Sequence, residues 1–92
     1  SDIRSILETH KNMLYVKYPI KSLAIFGSYS RNEHTNLSDV DLLVDFNERI
    51  GIRFIDLADE LENIIGVKVD LVSKNGVKEK YLNVIKPDLI YV

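Results

Sequence analysis

From Ser38 to Phe46 the chain reads Ser-Asp-Val-Asp-Leu-Leu-Val-Asp-Phe, so that Val40, Leu42, Val44 and Phe46 alternate with Asp39, Asp41, Leu43 and Asp45. Side chains along a β-strand point to opposite faces in turn, and this period of two specifies a strand with one strongly apolar face. The other face carries three aspartates, a residue type that strands disfavour. Asp39 and Asp41 point the same way at one end of the strand, where like charges raise each other's energy. A divalent cation relieves that repulsion. Two carboxylates, completed by substrate phosphates and water, are the usual surroundings of Mg2+ in phosphoryl-transfer sites. The competing reading is a pair of exposed aspartates on an edge strand. Asp45, roughly 13 Å beyond Asp41 at about 3.3 Å per residue, reads as a strand-end or surface residue.

Upstream, Leu23-Ala24-Ile25-Phe26 is a short apolar run closed by Gly27, as expected of a strand buried on both faces. Glycine permits the sharp turn that must follow. A helical turn from about Ser28 to Asn32 would aim free N–H groups, partial positive charge and the Ser28 hydroxyl at an anion above the strand end, which suits the phosphates of a nucleotide. Alone, a strand followed by Gly-Ser is an ordinary turn with a serine cap; it gains meaning only from the carboxylates downstream.

The remaining elements frame these two. Ser1 and Asp2 are N-cap types, and Ile3, Ile6, Leu7, Met13 and Leu14 follow at helical spacing, giving a helix from about residue 2 to 16 that Pro19 ends. His10, with no second ligand at metal spacing, is assigned packing or surface. A second helix from Gly51 to Asn63 presents Ile52, Ile55, Leu57, Ala58, Leu61, Ile64 and Ile65, with Gly66 as its stop and Asp56, Asp59, Glu60 and Glu62 as a solvated face. Val67 to Val72 alternates again, with Val67, Val69 and Leu71 on one side and Asp70 on the other. A lone strand aspartate is a surface residue; beside Asp39 and Asp41 it becomes a third oxygen ligand and a proton acceptor. Asn75-Gly76 marks a turn, and Val77, Tyr81, Val84 and Ile85 share one face of a last helix stopped before Pro87. Leu89 to Val92 is either an added strand or a docking segment.

Ninety-two residues fit one domain spanning 1–92, with 46% hydrophobic and 28% charged residues as in ordinary globular chains. No apolar run is long enough to cross a membrane, no leader-like segment opens the chain, and there is no cysteine for disulfides or thiolate metal sites. A cytoplasmic location is expected. A net charge of −2 with scattered lysines argues against direct nucleic-acid binding.

Gly27-Ser28, the Ser38 to Val44 block and Asp70 together resemble the nucleotidyltransferase superfamily of DNA polymerase β. The resemblance is closest to its minimal members, the MNT proteins, often described as antitoxins. Their hallmark, Gly-Ser-x-x-Arg-Gly followed by Ser-Asp-x-Asp-Leu-Leu-Val, reads here Gly27-Ser28-Tyr29-Ser30-Arg31-Asn32 and Ser38-Asp39-Val40-Asp41-Leu42-Leu43-Val44. Asn32 replaces the family glycine, and asparagine is the residue that best tolerates a left-handed backbone after glycine. The resemblance implies an α/β (α+β) nucleotidyltransferase fold, a small mixed sheet with helices packed on it. It also implies roles: Asp39 and Asp41 as Mg2+ ligands, Asp70 completing a two-metal site and acting as base, Gly27 and Ser28 on the phosphates of ATP, and Arg31 on phosphate or partner. The activity implied is transfer of AMP from ATP to a tyrosine of a HEPN-domain ribonuclease toxin, in complex with that toxin. Since the chain has no residues left for an acceptor-binding domain, the acceptor is expected from a partner. Two alternatives stand beside this: a non-catalytic antitoxin that covers its partner, and a small-molecule nucleotidyltransferase that completes its pocket by oligomerising.

Overall fold

The computed structural model describes residues 2–92; the cap expected of Ser1 and the side chain of Asp2 lie outside the described residues. The chain runs α1 (Asp2–Lys17), β1 (Ile20–Phe26), β2 (Val40–Phe46), α2 (Arg53–Ile65), β3 (Val69–Ser73), α3 (Glu79–Ile85) and β4 (Ile90–Tyr91), with 3-10 turns at Lys74–Gly76 and Lys86–Asp88. The four strands lie in the order β3-β2-β1-β4. β1 pairs antiparallel with β2 and β4, and β2 pairs parallel with β3 across the α2 crossover, making the mixed sheet that the resemblance implied.

The alternation in β2 places its residues on two faces. Val40, Leu42, Val44 and Phe46 face a core closed by Leu7 and Leu14 of α1 and by Leu57, Leu61 and Ile65 of α2, the latter set following the i, i+4, i+8 stripe of an amphipathic helix. On the opposite face Leu43 joins Phe26 of β1 and Ile85 of α3 in a smaller cluster, bordered by Val72, Leu82 and Leu89. Leu43 is thus buried although it shares its face with the aspartates.

Several expectations change once the chain packs. β1 begins at Ile20 rather than Leu23, because Ile20 is buried against Phe46 and an irregularity between Ile20 and Ser22 carries the exposed Lys21 outward. β2 begins at Val40, so Asp39 precedes the strand, and β3 runs to Ser73 but leaves Val67 outside it and exposed. Met13, Ile52 and Ile55 were assigned to apolar stripes, yet Ile52 is 81% and Ile55 60% exposed, while Met13 lies on the open side of α1. On α3 the sheet is met by Leu82 and Ile85, and Val84 is 70% exposed. Glu60 and Glu62 are half-buried structural groups: Glu60 accepts a 2.8 Å hydrogen bond from the Tyr18 hydroxyl and pairs with Lys17 at 3.0 Å, and Glu62 accepts the Val69 N–H at 3.0 Å. Burial, then the Glu60 contact, pushes the Tyr18 hydroxyl up to about 12.

The expected stops are present. Gly66 caps α2 in the left-handed conformation (φ 84°), its N–H bonding the Glu62 carbonyl. His10 has a local role, with Nδ1–H donating to the Ile6 carbonyl at 2.9 Å. The C-terminal tail resolves as an added strand, Ile90 beside Ile25 and Tyr91 beside Ala24, extended by the Val92 N–H on the Leu23 carbonyl. Among the described residues no helix is long and apolar enough to cross a membrane.

Candidate active site

The site is built by strand register. β1 and β2 place Phe26 opposite Asp41, and the parallel pairing of β2 with β3 sets Asp41 directly beside Asp70. Parallel neighbours in register point to the same face, so both carboxylates emerge on the α3 side of the sheet. Asp39 stands just before β2, exposed, on a segment tied down on both sides: the Ser38 N–H bonds the Thr35 carbonyl, and the Val40 N–H bonds the Lys68 carbonyl at 2.9 Å. Asp45 lies further along β2, half-buried beside Ser22 and away from this group.

The electrostatics follow from that crowding. Burial first, then the negative charges of Asp70 and Asp39 and a shared hydrogen bond with Asp70, raise the Asp41 carboxyl above the usual aspartate value, against a weaker opposing pull from Arg31. The charges of Asp70 and of Asp39 both reach the Asp41 carboxyl. Among the described residues no group of three or more histidine, aspartate or glutamate side chains stands placed to hold a metal ion by itself. Two carboxylates side by side with a third at the mouth form an open, all-oxygen set, whose remaining positions suit water and phosphate.

Gly27 joins the carboxylates to the turn. Its φ is +75°, and a Cβ there would clash with Oδ2 of Asp41 and stand 3.1 Å from its Cγ. A glycine is needed here twice, for the backbone and for the close approach of Asp41. The Gly27 carbonyl then accepts the N–H groups of Ser30 and Arg31, and the Ser28 carbonyl accepts that of Glu33 at 2.8 Å, so that a hydrogen-bonded turn, not a helix, stands where a helical turn was expected over 28–32. None of the turn's own hydrogen bonds consumes the N–H of Ser28 or Tyr29. Asn32 adopts φ 59°, so the residue in the family's glycine position does take the left-handed conformation. Arg31 is held at the surface by Glu33 (2.9 Å) and by Asp88 (2.8 Å), exposed pairs of the kind that exchange at little cost. Tyr29 stacks on His34, 4.0 Å between centroids, which steadies the loop toward Asp39.

One side chain at this face escaped the sequence reading. Tyr81 of α3, expected to share one helix face with Val77, Val84 and Ile85, is 43% exposed, and its ring lies edge-on to Phe26 at 6.4 Å. Burial and then the charges of Asp41 and Asp70 raise its phenol above the usual value. Its position depends on how α3 returns across the sheet, for which the local sequence offers no signal.

The family model described as a nucleotidyltransferase domain matches residues 4–91. The chain is 50% identical over its whole length to a Methanocaldococcus jannaschii protein provisionally named a protein adenylyltransferase, covering 96% of it. It is 39% identical to the protein adenylyltransferase MntA of Thermococcus cleftensis, over 99% of this chain and 93% of that one. A solved structure described as a provisional minimal nucleotidyltransferase superposes with TM-score 0.76 at 29% identity, over 97% of this chain and 87% of its own. The same fold recurs in a toxin-antitoxin crystal structure with AMP-PNP (TM-score 0.76, 22% identity, 91% of this chain and 70% of that one). It recurs again in a complex of tri-AMPylated Shewanella oneidensis HEPN toxin with MNT antitoxin (0.72, 20%, 97% and 70%). The chain belongs to the nucleotidyltransferase domain family, as an enzyme of its minimal, protein-adenylyltransferase branch.

Proposed function

We propose that this chain is a Mg2+-dependent antitoxin that moves AMP from ATP onto a tyrosine of a cognate HEPN-type toxin in the cytoplasm. The observation that carries the reading is the in-register pairing of Asp41 with Asp70, with Asp41 packed against Gly27 at the head of the Gly-Ser turn. The all-oxygen donor set and the raised Asp41 carboxyl fit a hard divalent cation held by Asp39, Asp41 and Asp70. When bound, that cation neutralises carboxylate and phosphate charge together. Gly27, Ser28 and the turn's leading N–H groups hold the phosphates, and Arg31 adds its guanidinium once it leaves Glu33 or Asp88. An Asp70 carboxylate oxygen takes the proton of the attacking tyrosyl hydroxyl as that oxygen bonds to the α-phosphorus and pyrophosphate departs. A net charge of −2 does not favour direct nucleic-acid binding, and the acceptor comes with the partner.

Incubating the chain with its toxin, Mg2+ and ATP labelled on the α-phosphate should label the toxin. Asp39→Ala or Asp41→Ala should abolish labelling; labelling unchanged in both would sink the proposal. Asn32 in the family's glycine position and the short length favour a non-catalytic antitoxin instead, but the Asn32 backbone takes the left-handed conformation that the turn needs. Toxin rescue by an Asp39→Ala/Asp41→Ala/Asp70→Ala variant as strong as wild type would revive it.

A further inference from the structure

Tyr81 sits on the only helix that covers the second face of the sheet, among the described residues. Its ring meets Phe26 edge-on, with planes at 83°, and Phe26 is the cross-strand partner of Asp41, itself beside Asp70. Leu82 and Ile85 turn into the sheet, whereas Tyr81 stays partly open to solvent with its ring edge against Phe26. Burial first, and then the charges of Asp41 and Asp70, raise its phenol above the usual value. The other tyrosines are placed differently. Tyr15, Tyr18 and Tyr29 pack with the first core, the Tyr18 hydroxyl being taken by Glu60, and Tyr91 lies on β4 at the sheet edge opposite the Asp70 strand.

An acceptor tyrosine must bring its O–H to the carboxylate that takes the proton, and this chain has such a group on that side of its own site. We infer that Tyr81 is itself an AMP acceptor. The Tyr81 Oη bonds to the α-phosphorus of ATP, its proton passes to Asp70, the bond from the α-phosphorus to the bridging oxygen of the β-phosphate breaks, and pyrophosphate leaves. The inference rests on the adenylyl-transfer reading above and extends it to the chain's own surface. Tyr81 shares with Asp41 and Asp70 the face of the sheet that α3 covers. An AMP group there would add charge and bulk beside Asp41 and Asp70 and close the site to a second acceptor.

The test uses the full chain with ATP and Mg2+, alone and in a parallel arm with the toxin, read by intact mass and peptide mapping. Expected is the addition of one AMP on Tyr81, absent in Tyr81→Phe, which keeps the ring and its contact with Phe26, and absent in Asp70→Asn. The rate should not change when the protein is diluted tenfold, since donor and acceptor share one chain. Labelled toxin with no AMP on this chain, or AMP on a residue other than Tyr81, overturns the inference and leaves the proposed function standing. No label in either arm overturns both.

Discussion

The two faces of the sheet bury comparable strand residues, Leu42 on one and Leu43 on the other, yet they are finished differently. Two helices seal the first face, where Leu7, Leu14, Leu57, Leu61, Leu42 and Val44 are fully buried. Its polar neighbours are matched, the Tyr18 hydroxyl and Lys17 both meeting Glu60. The second face is covered by the seven residues of α3, and the carboxylates at its open end repel one another. One face is arranged for stability, and the other holds chemistry that the fold alone would not favour.

That contrast can be broken by substitution. Leu61→Ala on the first face should lose about 3–5 kcal/mol in chemical denaturation, because a sealed site cannot collapse around the cavity. Leu82→Ala, at the half-buried border of the second cluster, should lose no more than about 2 kcal/mol. Equal losses would mean that α3 is as tightly packed as α2. Gly27→Ala should lose about 1–3 kcal/mol through its positive φ, and by displacing Asp41 it should abolish AMP transfer as well. Val84→Ala, at an exposed position, should change stability by less than about 0.5 kcal/mol.

Acid titration sharpens the comparison because the two faces carry opposite signs. The hydrogen bonds of Lys17 and Tyr18 lower the Glu60 carboxyl below 4.5, so its contribution is present above that value and is lost as pH falls through the lowered one. The Asp41 carboxyl is raised above 3.8, so its protonated form favours the fold at low pH and that contribution is lost as pH rises through the raised value. In thermal melts between pH 3 and neutrality, Glu60→Gln should flatten the acid-side loss. Asp41→Asn should instead remove a decline that sets in above the ordinary aspartate value.

Much of this architecture was legible because local rules and packing agreed. The alternation from Val40 to Phe46 gave the central strand and its apolar face, and Gly27, Asn32 and Gly66 all take positive φ where a turn or helix stop was expected. Isolated hydrophobicity misled at Met13, Ile52, Ile55 and Val84, since period alone does not say which of two adjacent stripes meets the sheet. Glu60 and Glu62 looked solvated because their partners, Tyr18 and the Val69 N–H, are brought in by other elements. The candidate site was legible as a set of residue types, Asp39, Asp41 and Asp70 with Gly27, of which the sheet register brings Asp41 beside Asp70. The pairing of Asp41 with Asp70 was not, because parallel register is fixed by a crossover helix and leaves no local pattern. Tyr81 was hidden for the same reason, standing where α3 returns over Phe26.

Under the proposed function the second face trades stability for a carboxylate group that works on ATP. One substitution read two ways tests it: wild type and Asp41→Asn, melted at pH 7 in a chelator and assayed for AMP transfer with Mg2+. The expected result is a higher Tm for Asp41→Asn together with loss of transfer. A lower or unchanged Tm with transfer intact would contradict the account.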